Sequence, residues 1–239
     1  MSNNVNNFFS SIAKRYDRMN MLLTFNIDKI WRKKAIKLCN IKKGYKVIDL
    51  CCGTGEMIKE IYRQKETLET NISVIGLDCN EEMLKVAYQK LNIKSKKSHL
   101  ELIKGDVLNM PYKNSTFDVV TIAFGLRNIP NYYKALNEIY RVLKPGGRLI
   151  CLELSKPTFP VFKNIYNLYF NHALPLIGYL GTGESKAYNY LKSSVNQFMK
   201  KPELQLAFTK SGFIETGYVS LTGGIASIHY GNKGLTNAC

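Results

Sequence analysis

With 239 residues, of which 45% are hydrophobic and 22% are charged, the chain is long enough for one large α/β domain with a full core and short for two. Lysine and arginine outnumber aspartate and glutamate 34 to 18, which is compatible with an anionic partner such as nucleic acid or lipid, and equally with a solvated basic surface. The six cysteines include no Cys-x-x-Cys pair and no metal-ligand spacing with the three histidines. The sequence therefore predicts a reduced, intracellular chain without a metal.

The N-terminal segment contains no recognisable targeting signal. Residues 1–10 have neither the basic nor the apolar region of a signal peptide, so a cytoplasmic location is expected. Residues 7–21 place apolar side chains at helical spacing and predict a first helix, and a second helix is predicted to end near Asn40. These helices precede the first strand and are the natural place for a lid, although simple packing on a sheet explains most of their apolar residues.

A strand followed by a glycine turn marks the first candidate ligand site. Residues 46–50 predict a buried parallel strand, and residues 51–55 predict a tight turn into a helix that starts near Glu56. Gly53 and Gly55 have no Cβ, so this turn lets a ligand approach the backbone. An ordinary strand-to-helix turn remains an equal alternative on this evidence alone, because a Gly-x-Gly pattern is a weak signal.

Asp49, at the end of that strand, indicates which ligand the turn would accept. A dinucleotide site usually has three glycines around a pyrophosphate, whereas this turn has two glycines and a carboxylate. A carboxylate suits a cationic or amine-bearing ligand. S-adenosylmethionine, which has a sulfonium, an ammonium and no phosphate, meets that description.

Two further aspartates follow predicted strands. Residues 72–77 predict a second buried strand that ends at Asp78, where a carboxylate is placed to accept hydrogen bonds from ribose hydroxyls. Residues 100–103 predict a third strand, and Asp106 just beyond it would reach an adenine amino group, although such a residue is more often part of a turn.

The remaining core pattern continues the alternation of strands and helices. A fourth strand is predicted at residues 117–124, a helix at 132–143 that the Lys-Pro-Gly-Gly breaker ends, and a fifth strand at 148–154. Arg127 follows the fourth strand, where it is either a salt-bridged structural residue or a substrate-site cation. The alternation predicts an α/β fold with a doubly wound parallel sheet.

The pattern changes after Pro157. An aromatic stripe follows at helical spacing, and it predicts either core packing or an apolar wall for a lipid-like substrate. The stripe consists of Phe162, Ile165, Tyr166, Tyr169, Phe170 and Leu174. Residues 164–183 carry no charge, but three asparagines, His172 and Pro175 interrupt them, so a membrane span is not expected. Helices at 186–199 and 202–211 and two final strands at 214–221 and 224–230 complete the predicted elements.

Six sequence blocks resemble one family, the ubiquinone/menaquinone biosynthesis C-methyltransferases, and look most like the demethylmenaquinone methyltransferases. The blocks are Val-Ile-Asp-Leu-Cys-Cys-Gly-Thr-Gly at 47–55, Gly-Leu-Asp-Cys-Asn-Glu-Glu-Met-Leu at 76–84, Phe-Gly-Leu-Arg-Asn at 124–128, Arg-Val-Leu-Lys-Pro-Gly-Gly at 141–147, Tyr-Asp-Arg-Met-Asn at 16–20 and Leu-Glu-Leu-Ser-Lys-Pro at 152–157. The first and fourth are shared by many methyltransferases, whereas the Tyr-Asp, Phe-Gly-Leu-Arg-Asn and Ser-Lys-Pro blocks are far more particular.

The resemblance implies a class I S-adenosylmethionine-dependent methyltransferase with a mostly parallel, doubly wound, seven-stranded sheet. Within a single domain it implies lid helices (1–44), a cofactor-binding core (45–156), a helical substrate-side insert (157–200) and a C-terminal helix and strands (201–233). It also implies that Thr54, Asp78, Asp106 and Val107 contact the cofactor. Ala123 stands where some relatives have serine, so a hydroxyl contact would be missing there.

The implied reaction transfers a methyl group to a ring carbon of a reduced, prenylated quinol, and no metal is required. That carbon becomes nucleophilic when a neighbouring hydroxyl ionises, so the site must align the reactants and remove a phenolic proton. Arg127 is the candidate for stabilising the phenolate and Tyr16 for relaying the proton. His172 is the only other obvious titrating group in the aromatic stretch, and a lone histidine is more often structural.

Three rival functions stay open at this point. The first is a methyltransferase of a soluble small molecule, with the aromatic stripe as plain core. The second is an RNA-binding or RNA-modifying protein, which the missing basic-aromatic stripe disfavours, so no nucleic acid is expected. The third is a dinucleotide oxidoreductase, against which Asp49 and the missing third glycine speak. The positive charge also predicts peripheral contact with an anionic membrane, and a homodimer is one option for the oligomeric state.

Overall fold

The structure, a computed structural model, describes residues 3–68, 71–92, 99–157 and 185–235. Its strands form one seven-stranded sheet and run β1 Lys46–Leu50, β2 Ser73–Asp78, β3 Leu100–Lys104, β4 Phe117–Ala123, β5 Leu143–Leu154, β6 Phe213–Leu221 and β7 Ala226–Lys233. The described helices are α1 Asn3–Ile12, α2 Tyr16–Thr24, α3 Ile27–Cys39, α4 Glu56–Leu68, α5 Glu81–Lys90, α6 Tyr132–Val142, α7 Ser185–Gln197 and α8 Lys201–Lys210.

The strand order is β3-β2-β1-β4-β5-β7-β6. Strands β1 to β5 pair in parallel, and β7 lies antiparallel between β5 and β6. The predicted mostly parallel, doubly wound sheet is therefore confirmed. Because the chain moves outward from β1 to β3 and then returns to β4 on the other side of β1, the strand order reverses between β1 and β4, where such sheets form a crevice at their carboxyl ends.

Two apolar clusters cover the two faces of the sheet and explain why its central strands read as continuous hydrophobic runs. Val47 and Val74 face a cluster with α3, α4 and α5, while Ile48 and Ile75 face a second cluster with α6 and α8. Adjacent residues of a strand point to opposite faces, so both faces must be apolar for the strand to be buried. The three neighbouring strands β1, β2 and β4 run in parallel, so the turns that follow them lie at the same edge of the sheet.

The structure changes two predicted boundaries. The predicted first helix is divided, because a 3₁₀ turn at Ala13–Arg15 separates α1 from α2. The breaker at residues 144–147 does not precede the fifth strand but lies inside it: Leu143 pairs with Phe117 and Arg148 with Val119, and the four residues between have no partner in that register. The helix Glu56–Leu68 begins where it was predicted to begin.

The aromatic stripe and His172 lie outside the described residues. Among the residues that are described, no helix is both long enough and apolar enough to cross a membrane. The lid helices are attached in two ways. Helix α3 packs on the sheet through Trp31, Ala35 and Ile36, whereas α2 has no buried residue.

Candidate active site

A cleft opens at the carboxyl ends of β1, β2 and β4, where the topology places it. Its volume is about 840 Å³, counted out to its open mouth. The predicted residues in its wall are Tyr16, Gly53, Thr54, Asp78, Asp106, Val107 and Ala123, and its other wall residues include Phe9, Arg32, Asn80, Met83, Phe124, Asn128 and Ile129. Asp49, Gly55 and Arg127, which were also predicted as site residues, lie outside this wall.

The two glycines of the turn after β1 have different tasks. Both have positive φ, 53° at Gly53 and 82° at Gly55, which favours glycine. A Cβ on Gly53 would meet nothing closer than the Cys51 carbonyl oxygen at 4.0 Å, so the space above it is open to a ligand. A Cβ on Gly55 would stand 2.8 Å from Leu91 Cδ1. Gly55 thus lets α4 and α5 approach each other, and Gly53 faces the cleft.

Asp78 is held at the end of β2 by two backbone amides. Gly53 N–H donates to its Oδ2 and Asn80 N–H to its Oδ1, each at 2.8 Å. Burial raises the pKa of this carboxyl, and the two N–H groups partly offset that rise. Each oxygen keeps a further lone pair, so the side chain can accept hydrogen bonds from a pair of adjacent hydroxyls, as on a ribose.

The next part of the wall suits a flat, partly apolar group. Val107 and Met83 are buried, and Ile129 lines the same cavity. Asp106 Oδ1 accepts from Leu108 N–H at 2.9 Å, which fixes the turn that carries it. Its exposed carboxylate is placed beside these apolar side chains and can accept from an amino group such as that of adenine.

Asp49 lies beneath the turn, with 1% of its surface exposed. Thr121 Oγ1 donates to its Oδ1 at 2.6 Å, and its Oδ2 has no hydrogen-bond partner. Burial raises the pKa of Asp49 to about 7, although Thr121 and Arg32 act in the other direction. A buried carboxylate oxygen without a partner favours a ligand that carries positive charge close to this turn. A sulfonium cofactor carries such a charge.

Two roles were predicted for Arg127, a salt-bridged structural residue or a substrate-site cation, and the structure shows it in a salt bridge. Its Nη1 forms an ion pair with Glu153 Oε2 at 2.9 Å and donates to the Phe124 carbonyl at 2.7 Å. Both side chains are buried, and the charge of Glu153 keeps the pKa of Arg127 above its usual value although burial opposes this. The guanidinium therefore braces the turn after β4, and the cation that was predicted to face the substrate is neutralised by a partner.

Tyr16 reaches the cleft from the lid and belongs to an aromatic cluster. Its ring lies 5.9 Å from that of Phe9, and Tyr190 of α7 packs on Phe9 at the same distance. Tyr190 Oη donates to Asn128 Oδ1 at 2.7 Å. Burial raises the pKa of Tyr190, and the charge of Arg127 opposes this rise. Two phenols thus border the turn at 124–128.

Polar contacts tie the lid to the cofactor side of the cleft. Thr54 Oγ1 donates to Asp17 Oδ1, and Lys90 Nζ contacts Asp17 Oδ2, each at 2.5 Å. Lys90 also pairs with Glu56 at 2.9 Å, and this contact lowers the pKa of Glu56 although burial alone would raise it. The first turn of α2 is therefore fastened to the helix that follows the glycine turn.

Asn80 is a wall residue that the sequence pattern did not single out. Its Oδ1 caps α5 by accepting from Met83 N–H at 2.9 Å, and its Nδ2 donates to Asn6 and Ser10 of α1. An Asn followed by Glu-Glu is an ordinary N-cap signal that would have located it. No local signal identifies Phe9 or Tyr190, whose positions depend on packing between distant segments.

Arg32 of α3 is a second unpredicted wall residue. Its guanidinium carbon lies 5.0 Å from the centre of the Phe124 ring, and its Nε, which has no hydrogen-bond partner, is 3.6 Å from Asp28 Oδ2. This buried cation is part of the wall of the cleft. Within the described parts of the chain, no three His, Cys, Asp or Glu side chains are grouped as a metal would need.

Known proteins are similar to this chain in sequence and in fold. A model of the ubiE/COQ5 methyltransferase family matches residues 1–233. A demethylmenaquinone methyltransferase of Staphylococcus aureus strain JH9 is 42% identical over 233 residues, which cover 98% of this chain and 94% of the relative. An S-adenosylmethionine-dependent methyltransferase from Aquifex aeolicus superposes with a TM-score of 0.63 at 21% identity, over 93% of this chain and 97% of that one. A phosphoethanolamine N-methyltransferase of Haemonchus contortus, solved with S-adenosylmethionine, superposes with a TM-score of 0.61 at 16% identity, over 85% of this chain and 52% of that one. The chain belongs to the ubiE/COQ5 methyltransferase family.

Proposed function

We propose that this enzyme uses S-adenosylmethionine to methylate a ring carbon of demethylmenaquinol, which gives menaquinol. The observation that carries the proposal is the 42% identity with a demethylmenaquinone methyltransferase across almost the whole chain, joined to a cleft whose wall matches the chemistry of that cofactor. The ubiquinone-pathway benzoquinol is a second substrate of the same kind.

The cofactor side of the cleft binds by complementary chemistry. Asp78 accepts from the ribose hydroxyls, and Asp106 and Val107 border the adenine. The open space above Gly53 admits the methionine part, and the unpartnered oxygen of Asp49 favours its positive charge. The cofactor supplies the methyl group, and the chain supplies its orientation. Ala123 offers no hydroxyl, so the cofactor is held without a contact from that position.

The substrate side faces the lid and the turn after β4. Tyr16 takes up or relays the phenolic proton, and Asn128, whose amide oxygen accepts from Tyr190, lines the cleft beside the ring. Arg127 acts indirectly, because it fixes the turn that carries Asn128. Its ion pair with Glu153 leaves little net charge to stabilise a phenolate directly. Arg127 is thus a positioning residue in this proposal.

The partners follow from the substrate. The quinol carries a prenyl chain, so the enzyme meets its substrate at a membrane and acts as a peripheral protein at its inner face. The net charge of +16 supports contact with anionic lipid. A nucleic-acid partner is not proposed, because the sequence lacks a basic stripe interleaved with aromatic residues. The domain division at residues 44, 156 and 200 remains a proposal, with residues 157–200 as the substrate-side insert.

An anaerobic competition assay tests the function. Purified protein receives labelled S-adenosylmethionine together with chemically reduced demethylmenaquinol and the demethylated benzoquinol in detergent, and the products are separated by mass. Label in the naphthoquinol, alone or with the benzoquinol, is expected. No label in either, with cofactor binding intact, would contradict the proposal and favour a soluble substrate. Tyr16→Phe is expected to retain cofactor affinity and lose turnover, whereas Tyr133→Phe, at an exposed position away from the cleft, is the matched control.

A further inference from the structure

The surface of the lid has an unusual composition. Of the fifteen exposed residues between positions 14 and 43, nine are lysine or arginine, four are large and apolar, two are asparagine and none is acidic. We call this surface the docking face; it comprises the exposed residues of α2, of α3 and of the turns beside them. An ordinary solvated basic face would mix both signs of charge and would keep large apolar side chains apart.

The docking face is continuous across both helices. On α2 the exposed positions Arg18, Met21, Leu22 and Phe25 follow one helical face at intervals of three and four. On α3 the exposed positions 29, 30, 33, 34 and 37 do the same. The two faces meet at a cavity between α2, α3 and α4, to which Arg18, Met21 and Lys29 all contribute. The apolar side chains therefore stand among the cations.

Each acidic residue of this region lies beside a cation that offsets its charge. Residues 1–46 contain eleven lysines and arginines against two aspartates, a net +9 of the chain's +16. Asp28 is buried beside Arg32, and Asp17 pairs with Lys90 of α5. The docking face thus concentrates more than half of the net charge, and Asp17 and Asp28, which line its cavity, each lie beside a cation.

The apolar side chains are concentrated in the same place. Among the described residues, four of the ten exposed large hydrophobic side chains fall within positions 21–30: Met21 and Leu22 at 38%, Phe25 at 67% and Ile30 at 55%. Phe25 caps α2 in the left-handed conformation, with φ of 51°, at the corner between the helices. The most exposed pair of the group, Phe25 and Ile30, therefore projects from the corner of the lid.

We propose that the docking face binds the surface of an anionic lipid bilayer, with Phe25 and Ile30 inserted at the interface and the lysines against the headgroups. Interleaved cations and apolar side chains on a helix surface are the features that such binding uses. A second copy of the chain fits poorly, because a two-fold contact would bring nine cations against nine. Nucleic acid does not account for the exposed aliphatic side chains.

The position of the face also serves the proposed function, on which this inference rests for its biological purpose. Helix α2 carries Tyr16 at the cleft and Phe25 at its other end, a separation of nine residues or about 14 Å along the helix. A bilayer at Phe25 would therefore lie close to the mouth through which a lipid-borne quinol must enter. The same helix would join the membrane to the active site.

Flotation with lipid vesicles tests the proposal in its apolar part. The full-length protein is mixed at low salt with vesicles of phosphatidylglycerol and phosphatidylcholine in equal parts, and with vesicles of phosphatidylcholine alone. The wild-type protein is expected to bind the anionic vesicles and to lose that binding as salt is raised. Phe25→Ser with Ile30→Ser is expected to weaken vesicle binding by about tenfold or more.

The control has the same chemistry at another site. Leu206 and Ile214 are exposed to 52% and 51% on α8 and β6, at the far end of the sheet, and Leu206→Ser with Ile214→Ser is expected to bind vesicles as the wild type does. Equal loss in both double variants would overturn the proposal, as would undiminished binding by the Phe25 and Ile30 variant.

A second pair of variants tests the charge. Lys33→Glu with Lys34→Glu is expected to weaken binding by about thirtyfold, since each lysine contributes about 1 kcal/mol near an anionic membrane and two are lost. Lys113→Glu with Lys134→Glu, at exposed positions outside the docking face, changes the net charge equally and is expected to have a much smaller effect. Equal effects would show that only total charge matters and would overturn the docking face.

Two readouts separate this proposal from the proposed function. Turnover of detergent-dispersed quinol is expected to survive in all four double variants, because none touches the cleft. Vesicle binding without quinol methylation in the wild type would leave the docking face standing and remove the function. Methylation without vesicle binding would support the function and overturn the docking face. Sedimentation velocity adds a last check: a wild-type dimer that the Phe25 and Ile30 variant dissociates, with vesicle binding unchanged, would assign the face to self-association and overturn the proposal.

Discussion

The polar contacts below the cleft and those above it use the same chemistry in opposite surroundings. Below, Asp49 with Thr121 and Arg127 with Glu153 are buried within the sheet. Above, Asp17 pairs with Lys90 from partly exposed positions, and the buried amide of Asn80 donates to a partly exposed residue of α1. Burial makes the first set costly to disturb, whereas solvent makes the second set easy to open. The floor thus provides fixed geometry, and the lid provides a reversible cover.

Loss of one partner of the buried ion pair is expected to have the largest effect. Arg127→Ala should lower the free energy of unfolding by about 3–5 kcal/mol, because it leaves the Glu153 carboxylate buried without its partner. Denaturant unfolding measures this change. At a temperature where the variant stays folded, turnover should fall far more than cofactor affinity, since the turn at 124–128 lies on the proposed substrate side of the cleft.

The matching control removes both charges. Arg127→Met with Glu153→Met should recover most of the lost stability, because an apolar pair of similar volume pays no desolvation penalty. Turnover should remain low, since the turn after β4 is no longer braced. Full recovery of turnover in the double variant would show that the pair has no positioning role.

The second effect is a dependence of stability on pH that Asp49 introduces. Its folded pKa of about 7 lies above the unfolded value of 3.8, so the folded state holds this proton more tightly. Its contribution to stability is complete below about pH 4 and is lost as the pH rises through 7, a change on the order of 4 kcal/mol. Asp49→Asn should therefore be more stable than the wild type at pH 8, with the advantage vanishing near pH 4.

Unfolding measured across this pH range in both proteins tests the assignment. Asp118→Asn, which alters a partly exposed carboxylate paired with Lys144, is the control and should not remove the slope. S-adenosylmethionine should also bind the wild type more tightly above pH 7, where Asp49 is ionised, and this trend should be absent in Asp49→Asn. A parallel pH profile in wild type and Asp49→Asn would show that another group is responsible.

The buried part of the fold could be predicted because its signals are local. Strands β1, β2 and β4 are apolar on both sides, so periodicity predicted all three, and the acidic end of β2 pointed to Asp78. The division between α1 and α2 could not be predicted, because the 3₁₀ turn places Ala13 against Met83, 70 residues away. Helical spacing alone is compatible with one longer helix.

The wall of the cleft was predictable where a strand end determines it and not where a contact with a distant residue does. Arg127 could be read as a substrate cation because its neighbour Glu153 lies 26 residues further on, on the adjacent strand. A Gly-x-Gly pattern also does not reveal that one of its glycines, Gly55, faces another helix. Partner identity depends on the register between strands and on helix packing, which no short motif contains.

A smaller effect is expected at the lid's attachment to α5. Asn80→Ala removes the N-cap and the amide contacts with α1, and should cost about 1–2 kcal/mol of stability. Asn80→Ser retains an oxygen for the cap and loses only the amide contacts. The serine variant should therefore be nearly as stable as the wild type in denaturant unfolding, with weaker cofactor binding. Equal destabilisation by both would show that the amide contacts with α1 carry the energy.

The smallest effect on stability, and the most specific to the lid, is expected at Asp17. Asp17→Ala removes the contacts with Thr54 and Lys90 and should change global stability by less than about 1 kcal/mol, because the pair is partly exposed. Amide hydrogen exchange should nevertheless become faster in α2 and stay unchanged in β1, since the lid opens without unfolding the sheet.

Glu81→Ala provides the control for this measurement. It removes an exposed ion pair with Lys104 at the start of α5 and touches no lid residue, so exchange in α2 should remain as in the wild type. Slow exchange in α2 of the Asp17 variant would mean that the aromatic contacts of Phe9 and Tyr16 hold the lid by themselves. Fast exchange in both α2 and β1 would mean that lid and sheet open together, and the division between a fixed floor and a reversible cover would then not exist.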